Sequence, residues 1–346
     1  MDSISQLDFN NRADAETWNS FVFGREDAHC TDLAEWRLLF GDLYGLPYCA
    51  FAYKSDGRIV GGASAYLLAS PLMGRMVVTC PYFGYGGLLA DNPDIEHGLV
   101  DAVEDWALES GADVVEWRID RPLPPPHLAH RDFSEFNLYL PASADSVWND
   151  SLTSNVRQNL RKAENNALRF ALSDDPANAY GLLCRTLRKH GTPFHGLELF
   201  RMMKTRFKSD VQFSEVYDHD RLTAAGVVVR FKDKVSTPYI GSLADGRERG
   251  ANYCQYWGII TDNLARGIRH FEMGRSPAES THAQFKEKWG AIPTPMFYNY
   301  RVLRPGAVYR TVSRPTLWQR AAVQTWRHLP LAVTRCLGPR LARHIP

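Results

Sequence analysis

The residues best placed to do chemistry lie in one stretch, RHFEMGRSPAESTHAQFKEKWG, beginning at Arg269. The spacing predicts a short strand from Ile268 to Met273 that breaks into Gly274-Arg275-Ser276-Pro277. A short helix over 281–289 follows, carrying Phe285, Lys286, Lys288 and Trp289. An acid, an arginine, a hydroxyl and a lysine thus gather at one strand end, where a rigid sheet can hold loop residues in place. Glu272 could take a proton from an amine if burial raised its pKa, or it could pair with Arg275 or Arg269. Arg275 could grip a phosphate or carboxylate bidentately, or clamp its own loop. Ser276 reads as a turn or cap residue, since no His-Asp pair accompanies it in a recognisable pattern. Lys286 and Lys288 read as a charged helix face, and Trp289 as core.

Further cations lie upstream. Arg157 and Arg161, four apart on a helix within 148–168, share one face beside Lys162. They could track a nucleic-acid or sugar phosphate by charge alone, or be solvated. Pro238 interrupts a run, Val235 to Leu243, that otherwise reads as a central strand. A proline cannot donate to a ladder, so an edge or a bulge is expected there. His127-x-x-His130 and His190 with His195 lack the partners a metal site needs, so no metal is expected.

At 346 residues two domains are the expectation, and 45% apolar residues indicate a globular chain. A net charge of +1 gives no overall pull towards nucleic acid, which argues against a general RNA-binding protein. The six cysteines are scattered, with no CxxC pair, as in a reduced cytoplasmic protein. The acidic, polar N-terminus is no secretory leader, and no apolar run is long enough to span a bilayer. Two helices (13–23 and 31–43) precede three strands (48–53, 58–68 and 75–80) and a glycine- and tyrosine-rich loop, PYFGYGGLLADN. A helix capped by Asn92, a strand at 113–117, a proline-rich connection and a strand at 133–140 complete the first half. After the 148–168 region the order recurs: helices at 178–189 and 197–207, strands at 211–217, 222–231 and 235–243, then helix, strand, short helix and a strand at 296–303. Residues 304–346 hold eight arginines, two histidines and no acid, interleaved with Trp318, Trp326 and aliphatic residues. Such a tail suits a helix lying on anionic lipid, or one packed back on the protein.

This repeated order resembles the GNAT acyltransferase fold written twice, an α/β (α+β) chain of tandem domains. FEMGRS at a strand end, the FKEKWG segment and the Arg157–Ala163 RQNLRKA helix resemble the FemAB-like family of peptidoglycan-bridge peptidyltransferases, and most nearly its exosortase/PEP-CTERM-associated branch. The resemblance implies an N-terminal GNAT-like domain over 1–146, an acyltransferase domain over 147–303 and the basic tail over 304–346. It implies acyl transfer to an amine in cell-envelope or extracellular polysaccharide biosynthesis. Acyl-CoA or aminoacyl-tRNA would be the donor substrate, an envelope or polysaccharide precursor the acceptor, and no cofactor would be tightly bound. The protein would work in the cytoplasm, peripherally at the inner membrane face through 304–346. Arg247, Gly250, Ala251 and Asn252 fall where GNAT enzymes cradle the pyrophosphate of coenzyme A, although Asn252 stands where glycine or alanine is usual, and the same residues read equally as a surface turn with a glycine before a helix. Tyr239 to Ser242 would form the bulged strand that frees backbone N–H groups for the acyl carbonyl, making Tyr239 and Glu272 the candidate catalytic residues. Arg275, Ser276, Lys286, Arg157 and Arg161 would bind donor or acceptor. A catalytically silent binding or scaffold module is the alternative.

Overall fold

The computed structural model describes residues 2–70, 74–307 and 317–345. The side chain of Trp318 and residues 308–316 of the basic tail lie outside the described set. The chain forms two compact units: Met1–Asp132 with Pro295–Arg314 and Arg343–Pro346, and Phe133–Thr294 with Pro315–Ala342.

The first unit runs β1 (Ser3–Gln6), α1 (Arg12–Gly24), α2 (Ala34–Tyr44), β2 (Tyr48–Ser55), β3 (Arg58–Ser70), β4 (Gly74–Val78), β5 (Leu88–Ala90), α3 (Pro93–Glu109) and β6 (Val114–Ile119). Asn92 starts α3 by accepting from the N–H groups of Asp94 and Ile95, with Pro93 at the first helical position. One apolar stripe of α3 faces the sheet: Ile95, Leu99 and Val103 are buried with Ala63, Val77 and Val115, and Trp106 is partly buried against the same core. β4 pairs with β6 in parallel, Met76 opposite Val114 and Val78 opposite Glu116. Beyond β4 the glycine loop stays on β6: Thr79 N–H donates to Glu116 O and Gly86 N–H to Arg118 O. Asp32 holds the same loop through the Gly87 N–H at 2.6 Å. Gly87 sits at φ +89, and a Cβ there would lie 2.7 Å from Ser64 O, so only glycine fits.

Next come β7 (Leu128–Tyr139), α4 (Ala144–Ser146), α5 (Ser154–Asn165), β8 (Leu168–Ser173), α6 (Ala177–His190), α7 (Leu197–Phe207), β9 (Val211–Asp218), β10 (Arg221–Phe231), β11 (Lys234–Ser236), β12 (Ile240–Ser242), α8 (Ala244–Glu248), α9 (Ala251–Ala265), β13 (His270–Pro277), α10 (Thr281–Glu287) and β14 (Ile292–Val302). The chain ends in α11 (Leu317–His328) and α12 (Leu331–Ala342). In the second unit the strands run β7, β13, β11, β10, β9, β8, with β12 also on β10. Val156 and Leu160 of α5, Ile259 and Ile260 of α9 and Phe271 of β13 share its core with Trp289. Gly258 lets α9 lie on β8, since a Cβ there would meet the Phe170 ring.

Three local differences from the sequence reading stand out. The 148–168 region is not one helix: α5 stops at Asn165 and β8 follows, entered through Ala167 at φ 54. The polar 244–250 loop contains the single turn α8. β13 does not break at Gly274 but runs on to Pro277 through a bulge. Gly274, at φ +82, absorbs the extra residue that would otherwise end pairing.

Candidate active site

In the second unit β11 and β13 pair in parallel only as far as Ser236 opposite Glu272. The chain then leaves the ladder over Thr237-Pro238-Tyr239, because Pro238 has no N–H to donate. It re-enters as β12, opposite Ala224 to Gly226 of β10. Meanwhile β13 continues along β7, with Arg275 opposite Glu135. β12 and β13 therefore fork. Val227 N–H donates to Tyr239 O at 2.7 Å and Leu243 N–H to Thr223 O at 2.8 Å. Alternation along the strand turns the N–H groups of Ile240 and Ser242 the other way, into the fork. At its head the Thr237 hydroxyl is buried and finds no hydrogen-bond partner in the protein.

The bulge on β13 is held from behind. Ser280 caps α10 by accepting from Ala283 N–H, which aims Lys286 at the strand. Lys286 Nζ donates to Gly274 O at 2.5 Å and Ser276 Oγ at 2.9 Å, and lies over the Phe136 ring. Burial pulls its pKa below the ordinary lysine value, and the Glu135 carboxylate opposes that pull. The Arg275 guanidinium lies over the Phe133 ring. Glu272 is buried on β13, in register with Ser236 and Asn137.

At the far end of β12, the exposed Arg247 donates to Ser242 O at 3.3 Å from α8. Gly250 starts α9 at φ +97, and a Cβ there would lie 3.1 Å from Ala163 Cβ on α5. Ala251 is buried and Asn252 is half-buried in the first turn. Arg157 is occupied otherwise: its Nη1 donates to Leu152 O at 2.8 Å and Trp148 O at 3.1 Å, locking the turn before α5. Arg161 is exposed, near the Trp148 ring. Lys286 and Ser276 are thus in direct contact behind the bulge, with Glu272 and Arg275 on the same strand, while the Tyr239 ring packs on Phe194, His195 and Phe200. Arg247 stands at the end of β12 and Gly250 to Asn252 at the start of α9.

Two histidines stand near Arg247: the sequence reading weighed His190 only as a metal ligand and passed over His282. His190, at the end of α6, and His282, in the first turn of α10, place their rings 6.3 Å apart. Partial burial lowers both pKa values, and Arg247 adds to the effect on each. Lys286 acts likewise on His282, and Arg327 on His190. Both imidazoles therefore favour the neutral, proton-accepting form. His282 lies four residues before Lys286, a helical spacing that could have flagged it. His195 is different: it is buried against the Tyr239 and Phe194 rings, and burial drops it to about 3. Among the described residues, no group of three or more His, Cys, Asp or Glu side chains is placed to hold a metal.

Comparison with known proteins fits this geometry. A family model described as an acetyltransferase (GNAT) domain matches residues 151–287. No curated protein matches the chain by sequence. Among solved structures, FemX superposes with a TM-score of 0.65 at 13% identity, over 85% of this chain and 96% of that one. A tandem GNAT protein from the clavulanic acid biosynthesis pathway superposes at 0.56 and 10% identity, over 87% and 98%. The fold is a GNAT fold, present twice. The C-terminal domain of a protein from Agrobacterium fabrum, described as a lysylphosphatidylglycerol synthetase, is similar too, at 0.56 and 13% identity over 84% and 92%. The matched segment of the second GNAT unit contains the fork, the turn into α9 and Lys286. In the first GNAT unit the equivalent opening is closed, because the loop after β4 remains bonded to β6.

Proposed function

We propose that the protein is a FemAB-like N-acyltransferase of cell-envelope or exopolysaccharide biosynthesis, acting in the cytoplasm at the inner face of the membrane. The fork between β12 and β13 carries the reading. It offers the N–H groups of Ile240 and Ser242 and a buried, unpartnered Thr237 hydroxyl to one incoming group. A donor carbonyl seated there would gain its oxyanion contacts as charge develops. The donor is acyl-CoA or aminoacyl-tRNA, with its phosphates near Arg247, Gly250, Ala251 and Asn252, and with Arg161 on the neighbouring helix as a further cation. The acceptor nitrogen bonds to the carbonyl carbon while the bond to the thioester sulfur or ribose oxygen breaks. The proton leaves the amine for Glu272 or the neutral His282 and passes to the departing sulfur or oxygen, with Tyr239 lining the site. Arg275, Ser276 and Lys286 keep the bulged strand in place and the fork open.

Isothermal titration with acyl-CoA and, separately, with charged tRNA tests the reading. Binding of one donor, weakened about tenfold in Arg247→Ala by loss of a charge-assisted contact, is the expected outcome. Binding of neither donor by the folded protein would overturn it. If a donor binds, rate–pH profiles of Glu272→Gln and His282→Gln identify the base by which acidic limb disappears. A scaffold without catalysis is the second reading, favoured by Arg157 and Lys286 being engaged within the protein. It requires Arg247→Ala to leave the cellular role intact.

A further inference from the structure

The two tail helices pack within the second unit. Arg188 Nη1 donates to Leu329 O at 2.7 Å between them, and Trp326 is buried. In α12 the buried row is Thr334, Gly338 and Ala342. A Cβ on Gly338 would lie 2.7 Å from Phe194 O, so this row seats directly on backbone. Arg335 lies over the Tyr180 ring of α6.

Beside the buried row runs a second, open one. Val333, Leu337 and Leu341, at spacings of four, are 37%, 38% and 38% exposed. Arg340, three residues past Leu337, borders this row and is exposed. The whole segment 304–346 contains eight arginines and two histidines and no acid. Whatever covers the row must therefore be anionic and must also accept aliphatic side chains. A strip one side chain wide falls far short of the roughly 800 Å² per partner that a stable protein interface needs. A bilayer asks for less: a few apolar side chains inserted into the headgroup–acyl boundary, with about 1 kcal/mol from each nearby basic residue on anionic lipid. No helix among the described residues is long and apolar enough to cross a membrane, so contact through these helices would be peripheral.

We propose that α12 docks the protein on an anionic lipid surface, with Val333, Leu337 and Leu341 entering the boundary and Arg340 meeting lipid phosphate. Val333, Leu337, Leu341 and Arg340 are not among the residues placed at the fork, so vesicle binding and acyl transfer are read by separate assays and can fail separately.

The test is flotation of the full chain with vesicles of phosphatidylglycerol in phosphatidylcholine, against phosphatidylcholine alone, at low and high salt. Binding to the anionic vesicles at low salt, lost at high salt, is expected. Leu337→Ser with Leu341→Ser should cut that binding about tenfold, and Arg340→Gln about fivefold. These side chains are exposed, so circular dichroism and the melting temperature should stay as in the parent. Equal binding to both vesicle types, binding to neither, or variants that bind like the parent would each overturn the proposal.

Discussion

Lys286 shows how far a residue's chemistry depends on where it is aimed. Its spacing reads as a charged helix face, and the FKEKWG resemblance implies a ligand contact, yet its ammonium is buried and donates to the bulge carbonyl of Gly274. Replacing it with methionine keeps the stem's packing and removes those bonds. Lys286→Met should cost on the order of 1–3 kcal/mol in chemical denaturation, because a buried acceptor loses its donor. His195 makes a second prediction. Its folded pKa is near 3, against about 6.5 for a free imidazole, so the folded state resists a proton that the unfolded chain accepts. Nothing is lost above pH 6.5; stability falls as pH drops from there towards 3. The loss at pH 5 is on the order of 2 kcal/mol. Denaturant titrations at pH 7 and pH 5 should show that loss, and His195→Phe should shrink it.

At the scale of elements, what places the fork is a proline at 238 and a glycine at 274 on two strands that start out paired. Pro238 was legible as a fault in a strand, since a missing N–H is a property of the residue itself. Gly274 read as a strand end, because a glycine followed by a polar triplet cannot be told from a bulge until the partner strand is known. The tail shows a similar limit. Its amphipathic pattern did not distinguish lipid from protein as the cover. In the structure, Gly338 seats α12 on the Phe194 backbone, while Val333, Leu337 and Leu341 remain open. Gly338→Val should lift α12 from its seat, costing about 1–3 kcal/mol through overpacking against backbone. Hydrogen exchange should then rise in α11 and α12 and not in α3 or β6.

At the scale of the whole chain, sequence order and spatial membership part company. The residues from Phe133 of β7 onward join the second unit, whereas β14 from Pro295 onward joins the first. Phe297 to Val302 pair with β6, and Asn299 bridges the Leu123 N–H and Arg121 O from a fully buried position. Asn299→Leu should leave both backbone groups unsatisfied, a loss of about 1–3 kcal/mol for each. Mapped by hydrogen exchange, the damage should fall on residues 2–132 and spare α9 and β13, although Asn299 follows them in sequence.

By itself the sequence determined the tandem α/β order, because helical and strand periodicities, caps such as Asn92 and the repeat of elements are local properties. It also marked out the stretch from Phe271 to Trp289. The tertiary structure decided what that stretch does. Strand pairing put a bulge where a break was expected, drew Lys286 inward and brought His190 within reach of His282. It also left one fork open in the second GNAT unit and closed its counterpart in the first. These outcomes depend on hydrogen bonds between residues far apart in the chain, and no local pattern encodes which partner a backbone N–H will find.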